Sequence, residues 1–247
     1  MIRVSHVNKS FGDKHVLKDV SVDIPEGETI AIIGRSGSGK SVLMKHLIGL
    51  MQPDSGSVTV DGIDINAITY AELRRVRRHF GVLFQGGALF DSMNAFENVA
   101  FPLRTFTQMT EADISRVVKE CLAMVELEDV GAKLPSEISG GMQKRVALAR
   151  AVALQPRYII YDEPTSGLDP ETSNTIDELI RNLADRLNVT SIVVTHDMHS
   201  VLNIADRAAF IYEGRMHWTG TIEALHHSDD QILKAFVTAN EYKIGPS

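Results

Sequence analysis

The stretch that most constrains the fold is the run Gly34-Arg35-Ser36-Gly37-Ser38-Gly39-Lys40-Ser41. It fits the phosphate-loop pattern in full and lies between a continuous apolar stretch, 29–33, and a helical pattern over 40–50. Glycines let the backbone wrap so that N–H groups point at phosphate oxygens. Lys40 then reaches the β- and γ-phosphates, and the Ser41 hydroxyl ligates Mg²⁺. The alternative, a glycine- and serine-rich turn that matches by chance, does not account for the flanking strand and helix.

The bulk properties are those of an ordinary water-soluble domain. The 247 residues suit one large domain, or a core with a subdomain, and the net charge of −7 argues against a nucleic-acid binder. A single cysteine, Cys121, excludes an internal disulfide framework. The N-terminus lacks the build of a signal peptide, and no apolar run approaches the ~20 residues that span a bilayer. We therefore expect a chain that cannot cross a membrane alone.

Apolar and polar residues alternate along the chain in the manner of an α/β protein. Strand patterns fall at 2–7, 16–24, 29–33, 57–60, 80–84, 158–161 and 191–194, with a closing hairpin over 208–212 and 216–219. Helical patterns fall at 40–50, 96–103, 111–125, 141–154 and 170–187, followed by short helices and an irregular tail from 221. This order predicts a parallel sheet interrupted by a helical insert.

Two carboxylates and a histidine follow strands that should end at one sheet edge. Asp162 and Glu163 close an apolar strand, at the edge where open α/β sheets place ligands. We expect Asp162 to hold Mg²⁺, and Glu163 to orient and deprotonate an attacking water. His196, after the strand 191–194, would hydrogen-bond the γ-phosphate or that water. Taken alone, the carboxylates could equally be solvated charges that cap a strand.

Weaker signals complete the set of candidate residues. Gln85 follows the strand 80–84, where a neutral amide could ligate Mg²⁺ in the presence of nucleotide, although a strand-capping glutamine is the alternative. Phe11 lies ahead of the phosphate loop, where its ring would stack on adenine, but a core phenylalanine would give the same sequence. We also expect Val42, directly after Ser41, to contact the nucleotide. The other eight histidines, including His226 and His227, are expected on the surface.

A second run, Ser139-Gly140-Gly141-Met142-Gln143, precedes another helical pattern. A hydroxyl and two glycines at a helix start form an anion-binding device, because free N–H groups and the helix dipole both face outward there. Two phosphate-binding elements and one set of catalytic carboxylates suggest a site that two copies of the protein share.

These elements, in this order, resemble those of the ATP-binding-cassette ATPase family over nearly the whole chain. The resemblance implies a P-loop NTPase core with a parallel sheet, an N-terminal antiparallel β subdomain and a helical subdomain at about 90–155, within one domain over 1–239. It also implies a head-to-tail homodimer with two ATP molecules at its interface. Ser139, Gly140 and Gly141 of one copy would contact the γ-phosphate held by Lys40 of the other, with Asp169 at the same seam.

Two positions depart from the family's usual signature, Leu-Ser-Gly-Gly-Gln. Ile138 is a mild apolar replacement of its first residue, whereas Met142 removes a polar contact from its last. The neighbouring Gln143 could compensate, and the sequence leaves that open.

A narrower resemblance, carried by the stretches 86–93 and 97–103 and by the variant signature, is to the ATPases of bacterial Mla/Mce phospholipid-transport systems. It implies an integral-membrane permease docked near Gln85–Phe101, Mce-domain and STAS-domain subunits, and a place on the cytoplasmic face of the inner membrane, in support of outer-membrane lipid asymmetry. The alternative for the apolar residues, among them Leu89, Phe90 and Phe96, is the core of the helical insert. The end of the chain from Phe236 to Ser247, which includes the C-terminal tail over 240–247, is expected to fray, unless Tyr242 and Ile244 anchor on a neighbouring subunit.

Three other functions compete with this interpretation. The first is a cassette ATPase of another transporter, such as a small-solute importer. The second is a soluble cassette ATPase that acts on nucleic acid or ribosomes, but such proteins usually carry two cassettes or long insertions. The third, a small-molecule kinase, would leave the Ser139–Gln143 run and His196 unexplained.

Overall fold

A computed structural model describes residues 1–240. They divide into two compact units. The first unit comprises residues 1–77 and the described residues from 190 onward, and the second comprises residues 78–189. The suggested anchors Tyr242 and Ile244 lie outside the described residues.

The elements alternate between strands and helices along most of the chain. In order, the strands are β1 (Ile2–Phe11), β2 (Lys14–Ile24), β3 (Thr29–Ile33), β4 (Ser55–Val60), β5 (Ile63–Asp64), β6 (Phe80–Leu83), β7 (Tyr158–Asp162), β8 (Thr190–Thr195), β9 (Arg207–Tyr212) and β10 (Arg215–Thr221). The α-helices are α1 (Lys40–Leu47), α2 (Tyr70–Arg77), α3 (Ala95–Phe106), α4 (Glu111–Met124), α5 (Gly140–Val152), α6 (Pro170–Leu187), α7 (Met198–Ile204), α8 (Ile222–His226) and α9 (Gln231–Asn240).

The first unit contains an antiparallel sheet of order β2-β1-β4-β5. Ile2 pairs with Ile24 on one side and with Val60 on the other, and all three side chains are buried. Ile2 and Val4 point to the same face because alternate residues of a strand do so, and Val7 is buried as well, after an irregularity in the register between Val4 and Val7. The expected N-terminal antiparallel β subdomain is thereby confirmed.

A second set of strands in the same unit has the order β10-β9-β3-β8. β3 pairs in parallel with both β8 and β9, whereas β9 and β10 form the expected antiparallel hairpin. Every residue of β3 and of β8 is buried. Strands buried on both faces have near-continuous apolar sequences, which is why the stretch 29–33 was recognisable.

The second unit pairs β6 with β7 in parallel and also contains the helices α3 to α6, of which α5 packs against β6. α3 begins with a capping box, in which the Asn94 side chain accepts from the Glu97 N–H and the Glu97 carboxylate accepts from the Asn94 N–H. The buried Asn98 amide donates to the carbonyls of Phe90, Met93 and Asn94 and so fixes the preceding loop. The parallel α/β fold with a helical stretch between β6 and β7 is confirmed.

Some expectations about individual elements were wrong. The short helices α2 and α7 and the two-residue strand β5 have no clear signal in the sequence. α1 ends at Leu47 rather than at Leu50, because Gly49 has a φ of 64° in the left-handed region. The chain does not fray from Phe236 onward, since α9 continues to Asn240. The ring centroid of Phe236 lies 4.9 Å from that of Phe210.

His46 contradicts the expectation that the remaining histidines lie on the surface. The other seven are exposed, but His46 is fully buried on the inner side of α1, with its Nδ1 2.6 Å from the carbonyl oxygen of Val42. Burial lowers its pKa, which favours a neutral ring. Burial also raises the pKa of Cys121 to about 12, so this thiol is unreactive. No helix among residues 1–240 has the length and apolar character needed to cross a bilayer.

Candidate nucleotide-binding and hydrolysis residues

The phosphate loop leaves β3 at Gly34 and enters α1 at Lys40, as its sequence predicts. A Cβ on Gly34 would lie 2.5 Å from the Ile211 carbonyl oxygen. Gly39 has a φ of 110°, and a Cβ there would lie 2.7 Å from a Leu17 methyl. Since side chains at these two positions would collide with their surroundings, the tight path of the loop requires glycine.

Inside the loop, the polar groups suit an anion. Lys40 is only 7% exposed and its Nζ donates to the carbonyl of Gly34 at 2.7 Å. The Ser38 hydroxyl is buried and has no hydrogen-bond partner among the described residues. Because a buried polar group without a partner is costly, this hydroxyl is a candidate for a hydrogen bond to a ligand oxygen. Arg35, Ser36 and Ser41 are exposed, and Val42 is half-buried.

His196 leaves the sheet at the same edge as the phosphate loop. Ile33, the last residue of β3, pairs with Thr195, the last residue of β8. The next residues, Gly34 and His196, therefore emerge side by side. Asp197 then caps α7 by accepting from the His199 N–H at 2.9 Å, which fixes the start of the loop that carries the exposed imidazole.

Asp162 and Glu163 lie where β7 ends, and both are half-buried. Glu163 has a φ of 48°, a left-handed conformation that costs a residue with a side chain about 1–2 kcal/mol. Leu83 pairs with Tyr161, so Gln85 leaves β6 at the same edge as the two carboxylates. The exposed Gln85 amide donates to the Ser166 hydroxyl at 3.3 Å.

The Ser139–Gln143 run forms the start of α5. Ser139 is the N-cap, and its hydroxyl accepts from the Met142 N–H at 3.3 Å, while Ser139 and Gly140 are exposed. The amide of Gln143 donates to the carbonyls of Pro135 and Ile138, at 2.8 and 3.3 Å. Gln143 therefore holds the loop before the helix.

The two glycines of this run have different surroundings. A Cβ on Gly141 would lie 2.5 Å from Cγ2 of Thr172, and Thr172 cannot rotate away cheaply because its hydroxyl donates to Asp169 at 2.6 Å. Around Gly140 there is open space. Gly141 is thus needed for the close approach of α5 to α6, whatever it does for a ligand.

Gly141→Ala should lower the free energy of unfolding by about 1–3 kcal/mol, the usual cost of overpacking. Gly140→Ala is the matched control, and it should leave stability unchanged or raise it by up to about 1 kcal/mol, because alanine favours a helix. Thermal and urea unfolding of both variants measure this difference. Equal stability of the two variants would contradict the close approach of the helices.

Asp169 caps α6. Its carboxylate accepts from the N–H and the hydroxyl of Thr172, at 3.0 and 2.6 Å. Both bonds lower the pKa of Asp169, and the bond from the Thr172 hydroxyl has the larger effect. The carboxylate therefore stays charged. Asp169 is exposed, as a residue at a subunit seam has to be in the isolated chain.

Phe11 ends β1 and is 47% exposed, with the ammonium of Lys9 5.8 Å from its ring centroid. This exposure excludes the alternative of a core phenylalanine. A ring that is open on the surface suits stacking on a flat ligand.

Each unit thus carries part of the predicted set. The first contains Phe11, the phosphate loop with Val42, and His196, and the second contains Gln85, Ser139–Gly141, Asp162, Glu163 and Asp169. Sequence reasoning missed two cations of α5. Lys144 donates to carbonyls of the turn that follows Glu163, and Arg150 donates to the carbonyls of Gly87 and Ala88. A charged residue inside a helical pattern usually indicates a solvated face, so the sequence had no signal for these contacts.

Comparison with known proteins gives one family. The model of the family described as ABC transporter matches residues 17–166. The intermembrane phospholipid transport system ATP-binding protein MlaF of Haemophilus influenzae is 42% identical over 237 residues, which are 96% of this chain and 90% of MlaF. The probable ribonucleotide transport ATP-binding protein mkl of Mycobacterium leprae is also 42% identical, over 99% of this chain and 70% of mkl.

Solved structures agree with this result. The ATP-binding cassette MJ0796, in a dimeric post-hydrolysis state bound to ADP and Pi, matches with a TM-score of 0.83 and 34% identity, over 90% of this chain and 99% of that chain. The residues that the family model matches include the phosphate loop, the two carboxylates at the end of β7 and the run at the start of α5. The chain therefore belongs to the ABC transporter family and is an ATP-hydrolysing cassette of that family.

Proposed function

We propose that this cassette powers a membrane permease that moves phospholipid between membranes, as part of a system that maintains outer-membrane lipid asymmetry. The observation that carries the proposal is the 42% identity to MlaF over nearly the full length of both chains. In this assembly the cassette lies on the cytoplasmic face of the inner membrane, attached through the permease. Mce-domain and STAS-domain subunits complete the system, and nucleic acid is not a partner.

Within one cassette, the roles of the residues follow from their chemistry. The backbone N–H groups of 34–39, together with Lys40, bind the ATP phosphates, and the buried Ser38 hydroxyl, which has no partner among residues 1–240, supports this role. Phe11 stacks on adenine and Val42 lines the nucleotide. Glu163 takes a proton from the attacking water, and His196 hydrogen-bonds the γ-phosphate.

Ser41, Asp162 and Gln85 are the ligands we propose for Mg²⁺. One hydroxyl, one carboxylate and one amide oxygen match the preference of this ion, which keeps several waters and is also held by substrate phosphates. Residues 1–240 contain no cluster of three His, Cys, Asp or Glu side chains that could hold a metal ion. The bound ion would neutralise charge that develops on the phosphates.

A second copy of the chain completes each ATP site in this proposal. Ser139 and Gly140 are exposed at the N-terminus of α5, where a helix favours an anion, and Asp169 is exposed at the start of α6. They would contact the γ-phosphate bound by Lys40 of the other copy in a head-to-tail homodimer. ATP binding then closes the dimer and hydrolysis reopens it, which gives the permease two states to follow.

The permease would dock on the surface near Gln85–Phe101. Phe90 and Phe101 are 41% and 36% exposed, and their ring centroids lie 4.7 Å apart. The guanidinium of Arg150 lies 6.0 Å from the centroid of Phe90. An exposed pair of aromatic rings beside a cation is the composition that interfaces favour.

Phe90→Ser should weaken the attachment of the permease roughly 30-fold, since loss of an aromatic anchor costs about 2 kcal/mol or more. The measurement is the amount of polytopic protein that co-purifies with the tagged cassette from detergent-solubilised membranes. Ile63→Ser removes a side chain that is 45% exposed elsewhere on the surface and serves as the control. Equal recovery with both variants would place the docking surface elsewhere.

The similarity to mkl favours a second candidate function, transport of nucleotides or another small solute. The cargo is therefore tested separately. The cassette and its co-purified permease are reconstituted into vesicles, and ATP-dependent transfer of labelled phospholipid is compared with uptake of labelled ribonucleotide. Phospholipid transfer without ribonucleotide uptake supports the proposal, and the reverse result replaces it with the second candidate. Action on nucleic acid or ribosomes would instead give an ATPase rate that rises with RNA or DNA and needs no permease.

A further inference from the structure

We propose that Lys144 is a positioning residue for ATP hydrolysis, which fixes the turn Glu163–Ser166 to the helix that begins at Ser139–Gly141. The inference rests on the proposed function of Glu163 as the base. Lys144 would connect two parts of the same chain: the Ser139–Gly141 run, which contacts the ATP of a second copy, and Glu163, which activates the water.

The contacts of Lys144 are those of a buried connector. The residue is 6% exposed, and its Nζ donates to the carbonyl oxygens of Pro164 at 2.6 Å and Ser166 at 2.7 Å. The Glu163 carbonyl oxygen lies further away, at 3.5 Å. Burial lowers the pKa of Lys144 below its ordinary value, and the Glu163 carboxylate offsets only part of this effect. An ammonium has three donors and no acceptor, and one that is taken from water has to be compensated by such oxygens.

The turn that Lys144 contacts is closed by two backbone hydrogen bonds of its own, and Lys144 adds support from outside it. The Ser166 N–H donates to the Glu163 carbonyl at 3.2 Å, and the Leu168 N–H donates to the Thr165 carbonyl at 3.2 Å. β7 ends at Asp162, so no strand pairing fixes the backbone beyond it. Glu163 has a φ of 48° in the left-handed region, which strains a residue with a side chain, whereas a φ of 77° at Gly167 does not strain a glycine. A strained conformation persists only where the surroundings impose it. From outside the turn, Lys144 contributes through the Pro164 and Ser166 carbonyls, and Gln85 contributes through its bond to the Ser166 hydroxyl at 3.3 Å.

The other end of the connection is the start of α5. Ser139 and Lys144 belong to the same continuous helix with its cap, so a displacement of one moves the other. The Gly141 backbone fits closely against Thr172 in the first turn of α6, which leaves little room for independent movement. An ATP phosphate that draws Ser139 toward a second copy would therefore act on the Glu163 turn of the same chain through the ammonium of Lys144.

The test compares Lys144→Met with Arg145→Met. Arg145 is the next residue of α5, is half-buried and donates to the Val125 carbonyl oxygen at 3.1 Å, away from the Glu163 turn. Both variants remove a cation that donates to backbone carbonyls from the same helix. They differ in which backbone segment loses its donor.

Lys144→Met should lower kcat by between about tenfold and 100-fold, because a misplacement of about 1 Å can cost that much. KM and the affinity for a fluorescent ATP analogue should stay within about twofold of the original chain, since Lys144 does not bind the nucleotide. Arg145→Met should keep its kcat per folded molecule. A normal kcat for Lys144→Met, or the same loss in both variants in proportion to their thermal stability, would overturn the inference.

Lys144→Arg keeps the positive charge and the donors, and it provides a second test if the methionine variant does not fold. We expect a kcat below that of the original chain, with amide hydrogen exchange faster over 163–168 and unchanged over 125–130. Faster exchange over both segments, or over neither, would contradict the assignment. Glu163→Gln separates the two hypotheses. If this variant still hydrolyses ATP at the original rate, Glu163 is not the base. If Glu163→Gln is inactive but the Lys144 variants keep a normal kcat, only the connection through Lys144 is refuted.

Discussion

Glu163→Gln is expected to lower kcat for ATP hydrolysis by about 100- to 10,000-fold while ATP still binds, since that is the usual contribution of a positioned general base. Glutamine has nearly the same shape as glutamate, so the turn after β7 and its left-handed residue are retained. Phosphate release under saturating ATP gives kcat, and a fluorescent ATP analogue gives the affinity. Because hydrolysis is what reopens the proposed dimer, the variant should also accumulate as an ATP-dependent dimer in size-exclusion chromatography.

Glu178→Gln is the matched control. Glu178 is an exposed residue of α6 in the same unit, so its substitution should change neither turnover nor dimerisation. If Glu163→Gln hydrolyses ATP at the rate of the control, Glu163 is not the base. If it loses turnover but stays monomeric with ATP, the base is retained and the shared site between two copies is refuted.

Lys40→Ala should weaken ATP binding by at least about tenfold, because a hydrogen bond to a charged group contributes about 1.5–3 kcal/mol. The buried ammonium already lies in the loop, 2.7 Å from the Gly34 carbonyl oxygen, so little reorganisation is needed to reach a phosphate. Titration with a fluorescent ATP analogue measures the loss. Turnover should fall with it, since Lys40 also stabilises charge on the transferring phosphate.

Lys45→Ala tests whether the effect is specific. Lys45 lies on the same helix and is exposed, so its loss should leave the affinity unchanged. Lys40→Ala also removes a donor from the Gly34 carbonyl, and circular dichroism at the assay temperature verifies that the variant is folded. Unchanged ATP affinity in folded Lys40→Ala would refute the assignment of the phosphate loop.

Much of the fold could be predicted from the sequence because its strands are buried on both faces. β3 and β8 are fully buried, and their uninterrupted apolar stretches stand out from the surrounding chain. The short helix α2 was missed because Arg74, Arg75 and Arg77 leave it with little apolar character. β5 has only two residues, too few for a periodic pattern to be visible.

The candidate residues also differ in whether the sequence alone reveals them. Lys40 and Ser41 are recognisable because the loop needs glycines at fixed spacing, and Glu163 because a carboxylate at the end of an apolar strand is unusual. The surroundings of His46, Lys144 and Gly141 depend on which helix faces they occupy and on what packs against them. None of that is local in sequence, so a buried histidine and a buried lysine were indistinguishable from surface residues.

By itself, the sequence determined the parallel α/β fold, the phosphate loop and the order of the polar residues at the ends of strands. Those features depend on local backbone requirements and on burial patterns that repeat every few residues. Only the tertiary structure decided that Gly141 is required by Thr172, that Gln143 binds its own loop, that Phe11 is exposed and that Lys144 holds the Glu163 turn. Each of these depends on contacts between elements distant in the chain, whose partners and distances are fixed only when the helices and strands pack.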